Sequence, residues 1–77
     1  MKTSYRFMNT PSGAGFMGLQ VVSYGETDTA WSMHIECIAV GGTLKEVREK
    51  VEAEIGRNLT EADIELKTSN YKFDQLF

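Results

Sequence analysis

Apolar and polar residues alternate most regularly between Trp31 and Ala39. Trp31, Met33, Ile35, Cys37 and Ala39 fall on one side of a two-residue period, and Ser32, His34, Glu36 and Ile38 on the other. An apolar face of this length predicts a half-buried, central strand. The same alternation puts Cys37 on the buried side, as an inert packed thiol. Earlier, Ser4 to Met8 predicts a strand with Tyr5 and Phe7 on one face and Arg6 on the other. Asn9-Thr10-Pro11-Ser12-Gly13 is dense in turn formers and ends it. Leu19 to Tyr24, starting as early as Phe16, predicts a second strand, with Met17, Leu19 and Val21 opposite Gly18, Gln20, Val22 and Tyr24. Gly25-Glu26-Thr27-Asp28 supplies a hairpin connection to the third.

The period changes after Gly41-Gly42. Leu44, Val47, Val51 and Ile55 recur at helical spacing and make one apolar stripe. Thr43-Leu44-Lys45-Glu46 matches a capping box, in which Thr43 accepts from the Glu46 N–H and the Glu46 carboxylate reaches back to Thr43 N–H. Glu46 and Lys50 form an i,i+4 pair of favourable orientation, and Gly56 is a natural left-handed stop. A helix over 44–55 follows. Beyond it, Thr60-Glu61-Ala62-Asp63 predicts a cap for a single turn. Ile64 to Lys67 and Tyr71 to Phe73 then read as strands around Thr68-Ser69-Asn70. Residues 61–67 also have the propensity to continue as helix. Strand is preferred, because Ile64, Leu66, Tyr71 and Phe73 otherwise lack partners. The predicted fold class is α+β: one compact domain over 1–77, an antiparallel sheet of four to five strands in the order β-β-β-α-β, packed on one amphipathic helix.

Composition narrows the class further. With 77 residues, one cysteine and 42% apolar residues, the chain supports one core but no intramolecular disulfide. No apolar run is long enough for a signal peptide or a membrane span, so a reducing, cytoplasmic compartment and no membrane partner are expected. Net charge is −3, unevenly spread: residues 1–25 hold Lys2 and Arg6 without an acid, and residues 26–77 hold all eleven acids against six bases. Such a balance disfavours phosphate backbones and favours a basic protein surface.

Candidate chemistry is sparse. Gly13, Gly15 and Gly18 have the G-x-G-x-x-G spacing of a dinucleotide loop, but they lead into Leu-Gln-Val-Val, which is β-like, so a hairpin loop or bulge is the reading. His34 and Glu36 share a strand face, where acid–base work or metal ligation would need a third group that no spacing supplies. No catalytic residue, metal or cofactor is expected.

The leading functional expectation is a small acidic, non-enzymatic protein-interaction module, an inhibitor or adaptor that occupies a partner's surface. A mobile-element protein blocking a host defence complex, such as an anti-CRISPR, belongs to that class on grounds of size alone. Glu49, Glu52, Glu54, Glu61 and Asp63 would face a basic partner surface. One helix covers one sheet face, so Val22, Tyr24 and Ile38, with Val40, would form an outer apolar patch for a protein partner or a homodimer. The alternative is a nucleic-acid-associated regulator, with Tyr5, Phe7, Tyr71 and Phe73 stacking bases beside Arg6, Lys67 and Lys72. The acidic balance makes nucleic acid the weaker partner.

Overall fold

A computed structural model describes residues 2–24, 33–65 and 68–77. Three strands, β1 (Lys2–Asn9), β2 (Phe16–Ser23) and β3 (Met33–Gly41), precede one helix, α1 (Leu44–Ile55), and two short 3-10 turns at Glu61–Asp63 and Phe73–Leu76. The strands form one antiparallel sheet in the order β1-β2-β3. The fold is α+β. The predicted turn at 25–28, the Trp31 position and residues 66–67 lie outside the described residues.

Helix α1 occupies the predicted span, and its ends show why. Thr43 Oγ1 accepts from Glu46 N at 3.1 Å. The Glu46 carboxylate, however, accepts from Gly42 N at 3.1 Å, one residue earlier than the capping box requires. This bond, helped by Lys50 Nζ at 3.3 Å, lowers the Glu46 carboxyl below its ordinary pKa. At the other end Gly56 adopts φ 75° and returns its N–H to Glu52 O at 2.9 Å, a conformation that costs a side-chain-bearing residue more.

Val47 and Val51, both fully buried, lie over the sheet where Phe7, Gly18 and Ala39 stand side by side. Tyr5, Leu59, Ile64 and Leu76 complete the core, with Phe16, Ile38, Leu44, Ile55, Tyr71 and Phe73 packed around it. Burial pushes the Tyr5 phenol above its ordinary pKa.

The C-terminal segment corrects the strand count. The described residues hold three strands, not four or five. Ile64 makes a single parallel bridge to Tyr5, and the Phe73 region is a 3-10 turn. The segment still closes the outer edge of β1, by irregular means. Glu65 N donates to Tyr5 O at 2.8 Å, Phe7 N donates to Ser69 Oγ at 3.0 Å, and Asn70 N donates to Phe7 O at 3.0 Å. A serine hydroxyl thus stands where a neighbouring strand would offer a carbonyl, and Ser69 Oγ also donates to Tyr71 O at 2.7 Å. Buried apolar residues and satisfied backbone are both achieved without a ladder.

The second correction concerns β3. Gly18 pairs with Ala39, yet Leu19 pairs with Cys37, so Ile38 is an extra residue, a β-bulge. An inserted residue reverses the faces on either side of it. Ala39 points under α1, while Met33, Ile35 and Cys37 fall on the face away from it. Cys37 is consequently exposed, not packed.

Candidate functional site

Cross-strand pairs divide the sheet into two faces. The helix side carries Thr3-Val22-His34, Tyr5-Gln20-Glu36, Phe7-Gly18-Ala39 and Asn9-Phe16-Gly41. The open side carries Lys2-Ser23-Met33, Ser4-Val21-Ile35, Arg6-Leu19-Cys37 and Met8-Met17-Val40. Val21 and Ser4 are buried on this open side, but Val40 is 52% and Ile35 44% exposed. Met8, Met17, Leu19 and Met33 are half-buried. Among the described residues the result is a surface of thioether and aliphatic groups whose only formal charges are Lys2 and Arg6. Arg6 sits in its middle, and its Nε is buried without a hydrogen-bond partner.

The structure scatters the predicted apolar patch. Val22 lies on the helix side, beyond the end of the helix, beside Thr3 and His34. Ile38 is the bulge residue and packs against the core. Tyr24 follows β2 and is half exposed, and Val40 alone belongs to the open face. Met33, Ile35 and Cys37, which do cluster there, were assigned to the covered side by unbroken alternation in β3, and the bulge at Ile38 is what moves them.

The five predicted acids divide as well. Glu52 accepts from Arg48 Nη1 and from Leu59 N, each at 2.8 Å, and is largely buried. It fixes the chain leaving α1. Asp63 receives Arg57 in two parallel bonds of 2.8 and 2.9 Å and also accepts from Thr60 N and Thr60 Oγ1. Glu49, Glu54 and Glu61 are exposed, with Glu49 only 4.0 Å from Arg48 Nη2. Two of the five acids therefore hold the fold, and three remain at the surface.

Arg57 above all holds the Asp63 carboxyl well below the usual carboxylate range; burial opposes this, and the Thr60 bonds add to the lowering. Its folded pKa lies below the unfolded value of about 3.9, so the stabilisation is complete above that value and disappears as pH falls toward the folded one. Asp63→Asn should cost about 1 kcal/mol at pH 7, a modest figure because Arg57 is half exposed. Denaturant titrations between pH 7 and pH 2 should show wild type losing its advantage over Asp63→Asn below about pH 4. An advantage constant down to pH 2 would refute this role.

His34 Nε2 and Glu36 Oε2 stand 4.0 Å apart, with side chains 63% and 65% exposed. Neither is desolvated, so a surface polar pair fits better than an activated one. They sit apart from a shallow cavity of about 260 Å³ lined by Glu61, Lys72, Phe73 and Asp74. Among the described residues no group of three or more His, Cys, Asp or Glu is placed to hold a metal ion. No described helix is long and apolar enough to cross a membrane.

The basic and aromatic residues of the alternative reading are dispersed too. Tyr5 and Phe7 are buried in the core on the helix side of the sheet, Tyr71 stacks edge-on against Phe16 at 5.6 Å, and Phe73 against Phe77 at 5.0 Å. Arg6 projects from the opposite face. Lys67 lies outside the described residues. Comparison with known proteins returns no match among family models, curated proteins or solved structures.

Proposed function

We propose that this protein is a non-enzymatic interaction module that binds a protein partner through the open face of its sheet. The supporting observation is the cluster of apolar side chains on that face, exposed at Ile35 and Val40, around the partly exposed Arg6. Apolar surface supplies affinity when it is covered, and methionines adapt to uneven partner surfaces. Arg6 supplies selection: the partner should bring an apolar surface bearing a carboxylate or a free carbonyl. This differs from a purely acidic module addressing a basic surface, since only Glu49, Glu54 and Glu61 of the five acids remain available. A second copy on the same face is disfavoured by charge, because among the described residues the face carries Lys2 and Arg6 and no acid. An inhibitor or adaptor role fits the module, as steric occupation of a partner needs no chemistry of its own.

Quantitative affinity capture from the native cell tests the proposal with three baits. These are wild type, Val40→Glu on the exposed part of the face, and the triple reversal Glu49→Lys, Glu54→Lys, Glu61→Lys. The expected result is a partner recovered by wild type and the triple variant but reduced at least tenfold with Val40→Glu. A partner lost only with the triple variant would return the function to the acidic surface and overturn the open-face reading.

A further inference from the structure

The two edges of the sheet are treated differently. The outer edge of β1 is closed by Glu65, Ser69 and Asn70, as described above. The outer edge of β3 has no backbone partner among the described residues apart from β2, and only Lys50 Nζ reaches it, at Val40 O, 2.7 Å. Proteins usually guard such an edge with a lysine, a proline or a bulge. The stretch Met33-His34-Ile35-Glu36-Cys37 has no lysine or proline, and the bulge comes only after it, at Ile38.

We infer that the free edge of β3 pairs antiparallel with the same edge of a second copy, about a two-fold axis at Ile35, joining two three-stranded sheets into one of six strands. Three features select this occupant and this register. First, an axis at Ile35 pairs the described residues that precede the bulge, Met33 to Cys37, with one another. Second, charge is self-complementary there. His34 lies opposite the partner copy's Glu36 and Glu36 opposite its His34, so the motif is used twice. An axis at Glu36 would instead oppose two carboxylates, an axis at His34 would oppose two imidazoles, and an axis at Cys37 would set Glu36 against the bulge. Third, α1 does not obstruct the contact. His34 and Glu36 are on the helix side yet remain 63% and 65% exposed, because the helix lies over the other end of β3, where Lys50 contacts Val40. Two copies related at Ile35 keep their helices at opposite ends of the joint sheet. On the open side Ile35 meets its own copy and Met33 meets Cys37, which extends the apolar face across both chains.

The pairing uses an edge and leaves the open face free, so it stands independently of the partner proposed above. Sedimentation velocity over a concentration series reads it directly. The expected result is a doubling of mass with concentration, weakened at least tenfold by His34→Glu, which opposes carboxylates twice across the axis, and retained or strengthened by His34→Lys. Val40→Glu, on the open face, should leave the association unchanged. In a Cys37→Ser background, Ile35→Cys should give a covalent dimer on mild oxidation with diamide, since directly opposed residues lie within disulfide reach. A chain that stays monomeric at millimolar concentration overturns the inference. So does a dimer indifferent to His34→Glu, or one lost with Val40→Glu, which would mark a different surface.

Discussion

Phe7→Ala is expected to remove most of the stability of this domain. The ring is fully buried at the point where β1, β2 and α1 meet, and its backbone is held on its far side by Ser69 and Asn70. Truncating a buried phenylalanine costs about 3–5 kcal/mol, a transfer loss plus a cavity. A domain of this size has roughly 5–10 kcal/mol in total, toward the lower part of the usual range. The cavity would be slow to collapse, since its walls are β-branched Val47 and Val51 on a rigid helix. Urea denaturation followed by circular dichroism should therefore show the midpoint of Phe7→Ala shifted close to zero denaturant. Ile35→Ala provides the contrast: it removes an exposed aliphatic side chain and should move the midpoint by less than about 1 kcal/mol equivalent. Comparable losses for the two would mean that the faces have been assigned the wrong way round.

That assignment is also where the sequence is least legible. The span of the helix could be read, because its apolar stripe, its Thr43 cap and its Gly56 stop are all local signals, although the Glu46 carboxylate caps Gly42 N and not the expected Thr43 N. The first hairpin was legible for the same reason, with turn formers between two alternating runs. The bulge at Ile38 leaves no such trace. Apolar residues at 33, 35, 37 and 39 share one face in any regular strand, and only pairing with β2 shows that the partner strand skips one residue. The consequence for the site is large, since Met33, Ile35 and Cys37 change sides.

Glu52 and Asp63 illustrate a second limit. As letters they join an acidic surface, but their partners are the backbone N–H groups of Leu59 and Thr60 and the side chains of Arg48 and Arg57, set by the path of the chain after the helix. In the C-terminal segment the burial of Ile64 and the partial burial of Tyr71 and Phe73 could be foreseen. Its backbone form could not, because a serine hydroxyl and two amides satisfy the β1 edge as well as a strand would.

Gly18 is the residue whose role the sequence most disguised, and it yields the second large effect. It closes a G-x-G-x-x-G spacing that reads as a hairpin loop or bulge, and it lies in β2 beneath the helix. A Cβ there would approach Val51 Cγ2 to 2.7 Å and Val47 Cγ1 to 3.1 Å. Both obstacles are stiff branched side chains, so relief requires the helix to lift. Gly18→Ala should cost about 1–3 kcal/mol from overpacking, less up to about 1 kcal/mol regained by restricting the unfolded chain. Val51→Ala alone should cost about 1.5–3 kcal/mol through lost burial. The double variant places the new methyl in the space that the valine vacates. Its loss should therefore fall short of the sum of the two single losses by at least about 1 kcal/mol, a coupling expected only between residues in contact. Equilibrium denaturation of the four proteins measures it. Strict additivity would show that α1 does not rest on Gly18, and that the face opposite the helix is not the one left open for a partner.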